Sequence, residues 1–201
     1  MIIAFYGLDG SGKSTQAQML AERLSGRAKQ VRLCNPFKNG ELSNRLVDHP
    51  GDKSLSYEDY WGGKIVGTLL LEDVWDNAMH CLKGPGQITI FDRYYLDFSV
   101  FSPILGSDLA FQQPILDAFP KADISFFIDE SPLVCDGRIR QRHKQSGIYM
   151  CKRETVAALW KARDAFAHLS ESTADFYVIQ ASGRSAEVIA EEIWNITKQY
   201  L

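Results

Sequence analysis

Ile2-Ile3-Ala4-Phe5-Tyr6-Gly7-Leu8-Asp9-Gly10-Ser11-Gly12-Lys13-Ser14-Thr15, almost at the start of the chain, decides the fold. Five apolar residues that stop at a glycine read as a short strand buried on both faces. Beyond the glycines, Met19, Leu20 and Leu24 share one face of a helix over residues 16–24, which Ser25-Gly26 ends. The connecting stretch fits G-x-x-x-x-G-K-[ST], with Gly7, Gly12, Lys13 and Ser14 in the fixed positions. Glycines such as Gly7, Gly10 and Gly12 let the backbone curl so that successive N–H groups, that of Ser11 among them, point at phosphate oxygens. The following helix offers its positive end, around Lys13, Ser14 and Thr15, to the same anion. Lys13 reaches the β and γ phosphates, and the Ser14 hydroxyl is a hard oxygen ligand for Mg2+. Asp9 lies inside this loop, where phosphates repel a carboxylate. It either accepts hydrogen bonds from a hydroxyl or a cation, or is a solvated turn residue.

The rest of the chain keeps the same rhythm. Residues 31–34, 88–91, 124–128 and 176–179 read as further strands, and residues 65–82 and 186–200 as helices. Alternating strands and helices predict an α/β fold with a parallel sheet. Such sheets bind ligands beyond the carboxyl ends of their strands. Gly7, Pro36, Asp92 and Asp129 stand at such ends, so one edge gathers the chemistry.

Bulk properties narrow the partners. The 201 residues suit one domain. A formal charge of −3 supplies no global field for a nucleic acid polymer, so local cations must hold any anionic ligand. No segment approaches the roughly 20 apolar residues that span a bilayer. Cys34, Cys81, Cys135 and Cys151 form no C-x-x-C pair and read as free thiols of a reducing cytoplasm, not as a disulfide framework. Cys135 and Cys151 flank His143, which makes a metal site there conceivable.

Two further segments carry charge. Phe91-Asp92-Arg93-Tyr94 closes the third strand. There Asp92 can hold the magnesium shell through water, and Arg93 can bridge two phosphates. Residues 131–144 carry Arg138, Arg140, Arg142 and Lys144, with His143 between them. On a helix Arg138 and Arg142 share one face, and Arg140 and Lys144 the next. Gln145-Ser146-Gly147 breaks the pattern, Lys152-Arg153 adds a second basic cluster, and a helical run follows over 156–169. The whole reads as a helix-loop-helix lid at about 131–155 that closes over phosphates and excludes water. A solvated basic helix face is the alternative.

The loop from Gly7 to Thr15, the Asp92-Arg93-Tyr94 segment and the arginine-bearing lid together resemble the thymidylate kinase family, over residues 1–166 and more weakly beyond. The resemblance implies a single P-loop NTPase domain over residues 1–201. Its architecture would be three-layer α/β/α, with a five-stranded parallel sheet and a helical lid. It implies transfer of phosphate from ATP with Mg2+ to a nucleoside monophosphate, thymidine monophosphate above all, in a cytoplasmic homodimer. The apolar residues Leu69, Leu70, Leu71, Val74 and Trp75 of the 65–82 helix suggest the dimer seam, or else a helix buried within the domain.

Carried over residue by residue, Lys13 and Ser14 match the family's phosphate and magnesium residues, and Asp9 an acidic residue that contacts the acceptor's sugar. Members with a small residue at the position of Gly10 take the transition-state charge from the lid, here Arg138, Arg140 or Arg142. Lys38 stands where the family has an arginine for the acceptor phosphate, a point charge in place of a fork. An ungapped register from Asp92 puts Thr68 and Glu72 where an aromatic residue and an arginine face thymine; Trp61 and Trp75 are near but out of register. After Asp92-Arg93-Tyr94 only Ser99 is kept. The phosphoryl-transfer residues thus match better than the base pocket. A kinase for a deoxynucleoside, with Glu72 reading the base or a hydroxyl, is one alternative. A nucleotide-binding regulatory protein is another.

Overall fold

The computed structural model describes residues 1–27, 30–38, 63–84, 86–107, 109–146 and 154–201. Trp61, Cys151, Lys152 and Arg153 lie outside the described residues. In chain order the elements are β1 (Ile2–Gly7), α1 (Lys13–Ser25), β2 (Val31–Cys34), α2 (Gly63–Cys81), β3 (Ile88–Asp92) and α3 (Leu96–Ile104). They continue as α4 (Leu109–Ala118), β4 (Ile124–Asp129), α5 (Pro132–Ser146), α6 (Val156–Ser172), β5 (Phe176–Gln180) and α7 (Ala186–Thr197).

The five strands form one parallel sheet in the order β2-β3-β1-β4-β5. Side chains alternate across a strand, so β1 feeds two cores. Ile3 and Phe5 pack with Leu20 of α1, Phe126 of β4 and Ile193 of α7 on one face. Ala4 and Tyr6 pack with Leu71 of α2, Phe127 of β4 and Phe166 of α6 on the other. The result is the expected three-layer α/β/α sandwich. From β1 the chain crosses outward to β2, whereas from β4 it crosses the other way to β5. The gap between the carboxyl ends of β1 and β4 is therefore the switch point where such sheets hold ligands.

The strands and the helices over 65–82 and 186–200 fall where the sequence puts them, within a few residues at their ends. Helix α6 is capped by Thr155, whose side chain accepts from Ala158 N, and α7 by Ser185, which accepts from Val188 N. Helices α3 and α4 have no counterpart in the sequence reading. Each contains a proline, Pro103 and Pro114 respectively, which reads as a break. They form because Phe98, Phe101 and Leu116 bury in the core, at positions helical spacing brings together. In α2, Leu71, Val74 and Ala78 point inward, and Trp75 meets Phe119 edge-on at 4.8 Å.

One expectation is overturned. Cys34 at the end of β2 and Cys81 at the end of α2 form a disulfide, with Cα atoms 6.5 Å apart. The sheet and the helix above it bring together two residues 47 positions apart, a proximity that local spacing cannot reveal. Cys135 is a free, buried thiol as expected. Among the described residues, which do not include Cys151, no group of three or more His, Cys, Asp or Glu is placed to hold a metal. His143 instead faces Glu154 at 3.0 Å. Closing a loop of this length restricts the unfolded chain, so Cys34→Ser should lower stability by about 2–4 kcal/mol. Urea unfolding of the two proteins under non-reducing conditions measures it.

Candidate active site

The phosphate loop leaves β1 at Gly7 and reaches α1 at Gly12. Gly7, Gly10 and Gly12 have φ of 145°, 83° and 96°, which side-chain-bearing residues rarely adopt. At Gly10 the room is used as well. A Cβ there would lie 3.0 Å from Cys135 O and 3.3 Å from Cys135 Cα, so the bare glycine lets α5 approach the loop. No side chain caps the start of α1. Within the loop the Ser11 N–H donates to Leu8 O at 3.1 Å, and the loop borders a cleft of about 580 Å³. Asp9, Gly10, Ser11, Gly12, Lys13, Ser14 and Thr15 all line it.

Lys13 Nζ donates to Leu8 O at 3.0 Å and lies 3.6 Å from Asp9 Oδ1. Burial pulls its pKa down and nearby Arg93 adds to this, while Asp9, Asp97 and Asp92 oppose it. Arg93 follows β3 with a φ of 76°, and its backbone N–H donates to Phe5 O at 3.0 Å. Its Nη2 pairs with Asp9 Oδ1, and its Nη1 with Asp97 Oδ1 at 3.0 Å. Asp9 is thus no solvated turn residue; it sits between two cations.

Asp92 ends β3 on the same cleft and is buried. One carboxylate oxygen accepts from Asn35 Nδ2 at 3.2 Å. The other, Oδ1, is buried with no hydrogen-bond partner among the described residues. An unpaired buried carboxylate oxygen on the cleft that Ser14 also lines fits a hydrated divalent cation, so these residues suit Mg2+.

From α5, Arg138 donates through Nη1 to Gly10 O at 2.8 Å, and its Nη2 lies 3.3 Å from Glu130 Oε2. Glu130 is itself fixed, accepting from Ser131 N and Ser182 Oγ. Arg142, one turn on, lines the cleft and reaches Glu154 at 3.5 Å. Arg140 does not join them. It turns to Asp136 at 2.8 Å, because two residues on a helix are about 200° round from Arg138.

The other expected residues divide in the same way. Lys38 lines the cleft. Thr68 is half-buried and Glu72 exposed on α2, and neither lines it. Ser99 borders a different cleft, with Lys121, His168 and Asp175. Helical rotation from Asp97, which faces Arg93, carries Ser99 away. Asp129 pairs with Arg163 at 2.5 and 2.8 Å and also accepts from Gln180. Sequence reasoning missed Asn35, Glu130, Arg184 and Ile189, which line the cleft, and Asp97 behind it. No motif marks them; only the strand ends after which Asn35 and Glu130 fall gave a hint.

The sequence model of the thymidylate kinase family matches residues 5–193. The chain belongs to the thymidylate kinase family. Its likeness to a probable thymidylate kinase of Sulfolobus acidocaldarius is 27% identity, over 100% of this chain and 97% of that protein. A thymidylate kinase of Xanthomonas campestris pv. campestris is 28% identical, over 95% of this chain and 80% of its own length. Among solved structures, thymidylate kinase from Ehrlichia chaffeensis superposes with a TM-score of 0.69 at 20% identity, covering 98% of both chains. Deoxyadenosine kinase from M. mycoides does so at 0.70 and 19% identity, covering 100% of both. At those identities the two structures share a fold with this chain. Membership in the thymidylate kinase family makes the chain a nucleotide kinase, a phosphotransferase.

The pairing of Asp97 has a consequence for stability. Burial pushes its carboxyl up to about 6, against the pull of Arg93 and Lys13. The folded protein therefore binds this proton more readily than the unfolded chain does. The stability Asp97 contributes is greatest below the unfolded pKa of about 4 and falls as pH rises to about 6. Asn at this position carries no such dependence. The stability of Asp97→Asn relative to the parent should rise by about 2–3 kcal/mol between about pH 4 and pH 7. Urea unfolding of both proteins at the two pH values reads it.

Proposed function

We propose that this protein transfers the terminal phosphoryl group of ATP, with Mg2+, to thymidine monophosphate, giving the diphosphate. One observation carries the reading: Lys13, Asp92, Arg93, Arg138 and Arg142 converge on the cleft that the phosphate loop opens into. Phosphoryl transfer needs little covalent chemistry from the protein. It needs two anions held in line and their charge neutralised. The loop N–H groups and Lys13 hold the donor phosphates. Arg93 stands between donor and acceptor, and Asp9 fixes both cations. Arg138 and Arg142 bring charge from the lid side, Arg138 seated on the loop itself. Lys38 binds the acceptor phosphate. Ser14 and Asp92 would hold Mg2+, which neutralises phosphate oxygens when bound.

A second acceptor class is favoured by Lys38. A neutral deoxynucleoside requires less grip than the fork-shaped arginine of the family provides. The chain acts as one domain whose lid, about residues 131–155, carries Arg138 and Arg142. Leu70 and Trp75 of α2 pack against the domain's own core, half-buried Leu69 leaves apolar surface for a homodimer through that helix, and light scattering tests it. No helix among the described residues is long and apolar enough to cross a membrane, and nucleotide substrates suit a cytoplasmic setting.

ATP consumption with Mg2+ across a panel of nucleoside monophosphates and nucleosides tests the reading. Selective turnover of thymidine monophosphate supports it. Turnover of a nucleoside alone moves the acceptor class. ATP binding with no turnover favours the regulatory alternative.

A further inference from the structure

Asp97 belongs to neither of the motifs that identify the site, and it does not line the cleft. It is only 1% exposed. A carboxylate that deeply buried is costly unless its partners compensate. Its Oδ1 takes Arg93 Nη1 at 3.0 Å. Its Oδ2 accepts from Tyr94 N at 3.2 Å, and its own N–H donates to Tyr94 O at 3.1 Å. Both ends of the residue are thereby tied to the turn that carries Arg93. That turn has the rare positive φ at Arg93, a backbone state that persists only when its surroundings over-determine it.

We propose that Asp97 is a positioning residue for phosphoryl transfer: with Asp9 it grips the Arg93 guanidinium by both ends and presents its cleft-facing edge to the acceptor phosphate and the transferring group. The inference rests on the kinase reading above. Two carboxylates on separate nitrogens restrict the rotation of the guanidinium more than either does by itself. The charged and titratable groups facing Asp97 are Arg93, Lys13 of α1, Asp9 of the loop and Tyr6 of β1. Because burial raises the Asp97 carboxyl to about 6, protonation in mildly acid solution weakens the grip.

The test is a double-mutant cycle of the parent, Asp97→Asn, Arg93→Lys and the double variant. In each, kcat and KM for ATP and for the acceptor are measured from about pH 5 to pH 9. Asp97→Asn should lower kcat/KM for the acceptor about 10- to 100-fold, as expected for a misplaced positioning group, with KM for ATP within about twofold. The acid limb near pH 6 in the parent should vanish in Asp97→Asn. In the Arg93→Lys background the second substitution should cost less than about twofold. Asp97→Ser, smaller and uncharged, should repeat the result if the asparagine variant folds poorly. Equal losses in both backgrounds, or a parental pH profile in Asp97→Asn, would overturn the role. A parent that phosphorylates no acceptor removes the kinase reading and this inference with it, whereas an active parent and an indifferent Asp97→Asn remove only the inference.

Discussion

Lys13→Ala lowers kcat by at least about 10³-fold and leaves the fold intact. Removing one preorganised donor from a developing charge typically costs 10²–10³, and a full cation at the transferring phosphoryl group more. Lys13 is such a cation, 5% exposed and held by Leu8 O and Asp9 at the start of α1. Burial already disfavours its charge, so its loss relieves a desolvation cost and should move the thermal midpoint by only a few degrees. The vacated Asp9 carboxylate, still paired with Arg93, then faces the donor phosphates with one cation fewer. ATP affinity should fall less than kcat, because the charge that grows during transfer is what Lys13 meets. Steady-state kinetics with calorimetric ATP binding separate the two. Near-parental turnover would remove Lys13 from the chemistry.

Gly10→Arg has the next largest effect, on activity and stability together. A side chain at φ 83° strains the backbone by about 1–2 kcal/mol. Its Cβ would stand 3.0 Å from a backbone carbonyl, that of Cys135, which cannot rotate away as a side chain can. Helix α5 must then retreat, and Arg138 loses the Gly10 carbonyl that seats it. A shift of this kind at a charge-carrying group can cost about 10²-fold in kcat/KM. The family places either an arginine or a small residue at this position, and the contact supplies a reason. Here the space an arginine would need is filled by the helix that delivers Arg138. Thermal unfolding and kcat/KM of Gly10→Arg check both halves. Parental kinetics would mean that the approach of α5 to the loop is not part of the working site.

The legible parts of the molecule are those set by local rules. The glycine loop between strand and helix points to Lys13 and Ser14, the residue types a phosphate cradle needs at that spacing, and both line the cleft. Helical periodicity put Arg138 and Arg142 on one face and Arg140 on another, and the cleft holds the first two and not the third. What stayed hidden depends on the third dimension. Helix α3 was masked by Pro103 and by the change of period after Asp92-Arg93-Tyr94, and with it went Asp97. The family resemblance points to Ser99, which borders the other cleft. Asn35 works through Asp92, 57 residues away, and Glu130 through Ser182, 52 residues away, and Arg138 of α5. The Cys34–Cys81 bridge needs the sheet order before it can be seen. Thr68 and Glu72, where an ungapped register from Asp92 expects the base pocket, do not line the phosphate cleft.

The most direct measurement follows a labelled γ phosphoryl group from ATP through a reaction with thymidine monophosphate and Mg2+. The account predicts that the label appears in thymidine diphosphate, one for each ADP formed, and that it does so only with Lys13 intact. Label released as inorganic phosphate, or retained on the protein, would contradict direct transfer in the cleft of Lys13, Arg93 and Arg138.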